Sequence, residues 1–180
     1  MRTSIVLAAL AALALPTAAL ADAHGGMKMA TAKMISDDKE DAGSVTLTQT
    51  PNGVLIEAHL KELPDGEHGF HIHETGKCDA PDFKSAGGHF NPTDAEHGLH
   101  VEGGPHAGDM PNIHFPEDGD KGLRFEVLNA MVSLEEGEEG YLLDEDGSAI
   151  MVHAGPDDYE SQPSGDAGGR IACGVIEMGK

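Results

Sequence analysis

Tryptophan is absent from the 180 residues, and aromatic residues make up only 4% of them. A core built without large rings has to come from Val, Ile, Leu, Ala, Met and a few Phe. Basic residues are also scarce, with 11 Lys and Arg against 32 Asp and Glu, a formal charge of −21. That balance disfavours nucleic acid and anionic membrane surfaces as partners. An acidic excess of this size can mark disorder. Here the apolar runs recur too regularly for that, and the charge reads as a solvated surface. Long hydrophobic runs are missing after Ala21, so no later segment has the length of a membrane span.

The one long apolar run opens the chain. MRTSIVLAALAALALPTAALA has a basic start at Arg2, an apolar stretch broken by Pro16, and the small-residue site Ala19-Leu20-Ala21. The pattern predicts a secretory signal over 1–21, cleaved after Ala21, with cleavage after Ala23 as the alternative. The run is short for an uncleaved anchor. Export to the periplasm follows, and no membrane partner is expected after cleavage. Cysteine is nearly absent too, with Cys78 and Cys173 alone. In an oxidising compartment two cysteines pair. Metal ligation by two thiolates is the alternative, but neither has a neighbour at ligand spacing. A bridge would close a loop of roughly 95 residues, for which chain entropy predicts about 4–5 kcal/mol.

Glycine and proline, 24 and 10 residues, punctuate the rest. Between them lie SVTLTQT (44–50), GVLIEAHL (53–60), GEHGFHIH (66–73), LRFEVL (123–128), SAIMVH (148–153) and RIACGVI (170–176). Each is short, alternating or apolar, and bounded by turn residues, which predicts strands. No segment carries a long helical period with caps. An all-β sandwich or barrel follows. Residues 74–120 read as a long Gly- and His-rich loop, and a loop that long in a compact domain is functional or disordered.

Histidine is what the chain has in excess, at 11 residues. His71 and His73 sit two apart in GFHIHE, so a strand aims both imidazoles at one face. Alone, such a pair is as readily a solvated strand face as a metal site. It is followed by His89 in GGHFNP, by His97, by His106 and Asp109 in PHAGDMPN, and by His153 at the end of SAIMVH. The order and spacing of these motifs, with GDAGGRIACGVI over 165–176, resemble the copper/zinc superoxide dismutases. The likeness runs from about residue 30 to 178. The segments between Cys78 and His89 and over 154–169 look like the bacterial branch. Lys77 departs from the family's usual small or acidic residue, outside the motif positions just named.

The resemblance implies an antiparallel Greek-key β-sandwich or barrel with long metal-binding and electrostatic loops. It implies one copper held by His71, His73, His89 and His153, and one zinc held by His89, His97, His106 and Asp109. His89 is then the imidazolate bridge, with a catalytic part as a proton carrier. Asp157 corresponds to the carboxylate that hydrogen-bonds one ligand of each metal, Arg170 to the guanidinium beside the open copper position, and Cys78–Cys173 to the intrachain disulfide. The implied reaction is dismutation of superoxide anion to oxygen and hydrogen peroxide. The alternative is an exported copper-binding or buffering protein without fast turnover. The chemistry suits the residue types: imidazole suits redox-active copper, while zinc has no redox chemistry and plays a structural and electrostatic part. A periplasmic copper donor is a further partner the resemblance allows, and the chain is a monomer or a homodimer.

The remaining histidines divide. His100 reads as a loop residue, His59 as facing out from a strand, His114 as part of a short strand, and His68 as near the site's rim with no role. Lys84, in DFKSAGG, is a candidate to share Arg170's attraction for the substrate. Residues 22–34 carry His24, Met27, Met29 and Met34. They read as a flexible N-terminal segment, alternatively as a copper-acquiring arm, since His and Met can hold copper. The β domain then covers 35–180.

Overall fold

The computed structural model describes residues 27–117 and 122–179. The expected signal segment 1–21 and His24 lie outside the described residues. Among the described residues, nine strands form two antiparallel sheets. They are β1 (Met29–Ser36), β2 (Asp41–Thr50), β3 (Gly53–Leu60), β4 (Gly66–His68), β5 (Phe70–His73), β6 (Ile113–Phe115), β7 (Leu123–Asn129), β8 (Ala149–His153) and β9 (Arg170–Met178). The larger sheet runs β5-β8-β9-β1-β2-β3-β7, and β4 pairs with β6 in the smaller one.

The larger sheet curls on itself. β5 and β7 stand at opposite ends of its strand order, yet Phe70 and Phe125 meet edge to face with ring centroids 5.1 Å apart. Alternation explains the curl's interior: Ala30, Ala32 and Met34 of β1, Val45 and Leu47 of β2, Val54, Ile56 and Leu60 of β3, and Ile150 and Val152 of β8 all point into one apolar core. With no tryptophan to fill it, that core closes on small and branched side chains and on Phe70 and Phe115.

Two expectations need correction. Residues 29–34, placed in a flexible segment, belong to β1 and pair with both β2 and β9. The period-2 pattern was present in MATAKMIS, but Ala and Met are weak strand formers on their own, and burial against β2 and β9 overrides propensity. The single strand expected over 66–73 is two. At Gly69 the chain leaves the small sheet for the large one, where the Gly69 N–H donates to the Gly155 carbonyl and the Gly69 carbonyl accepts from the His153 N–H. The described part of the expected loop, residues 74–117, is mostly irregular, but it includes a short 3-10 turn at Lys84–Ala86 and strand β6, which carries His114.

Cys78 and Cys173 are bonded, with Cα atoms 5.7 Å apart. The bond pins the loop after β5 to β9, over a small second core of Phe83, Ala86, Ala149 and Met151. Thiol titration of the denatured, unreduced protein is expected to find no free thiol. Cys173→Ser is expected to lower stability by about 2–5 kcal/mol, read from denaturant midpoints; two titratable thiols in native protein would contradict the pairing.

Candidate metal centre

The site forms where the loop that follows β5 folds back along that strand. Ile72 N–H donates to the Gly108 carbonyl (2.9 Å), and the Ile72 carbonyl accepts from Phe90 N–H (2.8 Å). These bonds set Asp109 opposite His71 and His89 opposite His73 in bridge pairings. β5 therefore delivers His71 and His73, the returning loop delivers His89, His97, His106 and Asp109, and the end of β8 delivers His153 across the pairing of Phe70 with Val152. All seven are buried.

Their ligand atoms gather in two sets that share one ring. Donor atoms of His71, His73, His89 and His153 lie within 4.8 Å of one another, and so do those of His89, His97, His106 and Asp109. In the first set, Nε2 of His73 and Nε2 of His153 approach to 3.3 Å. In the second, Asp109 Oδ1 is 2.8 Å from His89 Nδ1 and 3.3 Å from His106 Nδ1, while its Oδ2 is 3.0 Å from His97 Nδ1.

The outward nitrogens are tethered, and several inward ones are orphaned. His71 Nε2 and His97 Nε2 reach the two oxygens of Asp157, at 2.8 and 3.1 Å. His73 Nδ1 donates to the Gly87 carbonyl and His153 Nδ1 faces that of Gly168. His71 Nδ1, His89 Nε2, His97 Nδ1 and His106 Nδ1 are buried with no hydrogen-bond partner. Buried orphan nitrogens are costly and call for an explanation. A cation in each set satisfies all four, and outer partners that fix ring orientation are what metal-binding imidazoles require. The donor sets suit the expected metals: imidazole alone for copper, three imidazoles and a carboxylate in closed array for zinc.

Burial sets the protonation states. It drives His153 down to about 3, helped by the neighbouring His71, and His89 down to about 4, against the opposing Asp109 hydrogen bond. His73 is likewise held well below the ordinary range by burial and by His89. Burial opposes ionisation of Asp157, but hydrogen bonds from His71, the Tyr159 N–H and His97 bring it to about 2. Asp109 is held far lower still, its burial outweighed by the close approach of His106, His89 and His97 and by the hydrogen bond from the Gly98 N–H. At neutral pH these residues are free bases and carboxylates, the forms that bind cations.

This predicts how the metal-free protein responds to acid. His153 and His89 bind protons near 6.5 when unfolded but only near 3 and 4 when folded. The unfolded state therefore holds more protons in that window, and stability falls as pH drops from 6.5 through 4. Asp157 adds to the loss below its unfolded value, and His97, raised by Asp109 and Asp157 against burial, acts the other way. Thermal midpoints of metal-free protein across that range check the sign; a midpoint that rises on acidification would reverse it.

Arg170 points into the cleft above the first set. Its guanidinium donates to the Phe83 carbonyl (2.7 Å) and the Gly87 carbonyl (2.6 Å), the second shared with His73. Among the described residues, Arg170 is the one lysine or arginine lining that cleft, beside Glu74, Asp94, His73 and His153. Lys84 does not join it. Its exposed side chain pairs with Asp82 at 2.9 Å.

The other histidines stay apart from the two sets. His100 is exposed, 3.7 Å from Glu160; His59 faces outward from β3; His114 pairs with Glu67 in the small sheet. His68, expected near the rim, is buried and bonds the carbonyls of His153 and Pro64, both at 2.8 Å.

Two amides escaped the sequence reading. Asn112 donates to the Asp157 carbonyl and accepts from the Asp157 N–H, and Gln162 does the same for His97. Each side chain clamps the backbone of one partner in the Asp157–His97 bridge. Gly165, with φ +70, leaves that bridge room, since a Cβ there would lie 1.9 Å from Asp157 Oδ1. Nothing in local sequence pattern marks such long-range clamps.

Known proteins resemble this chain in sequence and fold. The sequence profile of the copper/zinc superoxide dismutases matches residues 41–176. Superoxide dismutase 1 of the copper–zinc type from Aquifex aeolicus is 52% identical over 147 residues, which cover 81% of this chain and 86% of that one. The Caulobacter vibrioides enzyme is 47% identical over 150 residues, covering 82% and 85%. Among solved structures, a double mutant of a superoxide-dismutase-like protein from Bacillus subtilis matches with TM-score 0.77 at 39% identity, covering 81% of this chain and 95% of that one. The copper/zinc superoxide dismutase of Brucella abortus gives 0.64 at 30%, covering 83% and 99%. With the fold, the shared histidine and these likenesses in agreement over most of its length, the chain belongs to the copper/zinc superoxide dismutase family.

Proposed function

We propose that this protein dismutates superoxide outside the cytoplasm, converting two superoxide ions and two protons into oxygen and hydrogen peroxide. The observation that carries the reading is the placement of one imidazole, His89, with Nδ1 in the set suited to zinc and Nε2 in the set suited to copper. Copper would be held by His71 Nδ1 and by the Nε2 atoms of His73, His89 and His153. Zinc would be held by the Nδ1 atoms of His89, His97 and His106 and by Asp109. When bound, copper supplies one-electron cycling and zinc a fixed charge.

The chain's own residues do the rest. Arg170 draws the anion into the cleft and orients it by charge and hydrogen bonding. His89 Nε2 is the atom that takes up a proton and gives it to the reduced product. Asp157, bonded to His71 and His97, holds one ring from each set in fixed orientation. A protein that only buffers copper would need neither Arg170 in the cleft nor the second donor set. Cleavage after Ala21 and a periplasmic location complete the reading, supported by the signal-like start and by the Cys78–Cys173 bond, which suits an oxidising compartment.

The test is metal analysis of the exported protein together with an assay of superoxide removal. One copper and one zinc per chain with rapid removal are expected. Copper bound at full occupancy without removal would sink the enzymatic reading.

A further inference from the structure

We propose that Phe83 is the positioning residue for Arg170: its buried ring pins a left-handed backbone whose carbonyl holds the guanidinium in the cleft. The proposal deepens the steering role read for Arg170 and rests on that role.

Phe83 has φ +50 and ψ +24. A bulky residue seldom takes that left-handed conformation, and one that does is held there by its surroundings. The ring is wholly buried, in the small core with Ala86, Ala149, Met151 and Cys173. Phe83 N–H donates to the Asp79 carbonyl at 3.1 Å, and no side chain caps the 3-10 turn that follows. Anchorage of the turn therefore falls to the ring. The Phe83 carbonyl then serves two donors: the Ala86 N–H (3.1 Å), which closes the turn, and Nη1 of Arg170 (2.7 Å). Gly87, just past the turn, accepts Nη2 of the same guanidinium at 2.6 Å. Two carbonyls of one turn thus meet the rigid fork of the guanidinium, and Phe83 supplies one of them.

The grip matters because of what competes for Arg170. Asp82 and Glu74 stand close enough to act on its charge. Lys84 already engages Asp82 at 2.9 Å. Glu74 lines the same cleft as Arg170 and forms no ion pair among the described residues. Guanidinium and carboxylate make strong, often bidentate pairs. Released by Phe83, Arg170 would turn toward Glu74, and a cation paired with a carboxylate draws a passing anion weakly. The Phe83 N–H and carbonyl bond none of the seven donors, so loss of the ring should leave copper and zinc in place.

The test follows superoxide removal, its dependence on ionic strength, and copper and zinc content in the metal-loaded protein. Phe83→Ala is expected to keep both metals and to slow removal by roughly tenfold, inside the hundredfold or so that misplacing a positioning group can cost. Its rate should also respond less to salt than the parent rate does. In an Arg170→Gln background Phe83→Ala should change nothing further, since residues that act through one contact are not additive. A merely structural ring would slow both backgrounds alike, and that result overturns the proposal, as does a parent rate in Phe83→Ala. If Phe83→Ala does not fold, Phe83→Leu and Phe83→Val decide. Both keep apolar bulk, but valine is β-branched and resists the left-handed conformation. Phe83→Leu should hold the parent rate and salt response and Phe83→Val should lose them; equal behaviour of the two overturns the proposal. If Arg170→Gln alone keeps the parent rate, the steering role falls and this one with it. If Arg170→Gln slows removal and the Phe83 variants do not, Phe83 alone loses its role.

Discussion

Arg170→Glu is expected to slow superoxide removal by roughly ten- to a thousandfold with copper and zinc content intact, the range over which a focused local field alters encounter rates, superoxide dismutases being themselves an instance. The substrate is an anion and the chain carries −21, so net charge repels it. At physiological salt the screening length is about 8 Å, and distant surface carboxylates count for little. What remains is the field inside the cleft, where Glu74 and Asp94 stand beside Arg170. Reversal of the one cationic side chain leaves that wall wholly acidic. Because the guanidinium is held by the Phe83 and Gly87 carbonyls and hydrogen-bonds to none of the seven donors, metal content should survive. The parent rate should also fall as ionic strength rises. A rate that climbs with salt would mean that repulsion by the acidic surface dominates and that Arg170 does not steer.

His89→Ala should strip both metals at once. The ring supplies one nitrogen to each donor set, and no neighbour can replace it. Loss of an outer hydrogen-bonding partner alone weakens metal binding by roughly 10–100-fold, and removal of a donor shared by two cations should exceed that for each. His106→Ala is the control, since His106 stands in the second set only and zinc should leave first. Competition titrations with a chelator, copper and zinc followed separately, check the pair. Native affinity for both metals in His89→Ala would refute the shared ring.

How much of this could be read from the chain differed by kind of information. The histidine spacing was legible because each motif couples a ligand to a local turn, as in GGHFNP and PHAGDMPN, and Gly-bounded alternation marked most strands. Strand β1 was not, since alanine at 30 and 32 carries little β signal and its burial is decided by β2 and β9. The change of sheet at Gly69 leaves an unbroken alternation in sequence and shows only in where the hydrogen bonds go. Asn112, Gln162 and the carbonyls behind Arg170 act across 45 to 87 residues of chain. Contacts of that kind are fixed by topology, and no local period announces them.

The pairing of the returning loop with β5 has a consequence beyond ligand placement. β5 is the last strand of the large sheet, and an end strand presents unpaired amides and carbonyls that recruit other chains. Here the exchange between Ile72 and the backbone of Phe90 and Gly108 occupies that row, and bound metals would clamp the loop that does so. Demetallation should therefore uncover a template for self-association while the sheet itself still stands, which would make the copper–zinc centre as much a guard against aggregation as a place of chemistry.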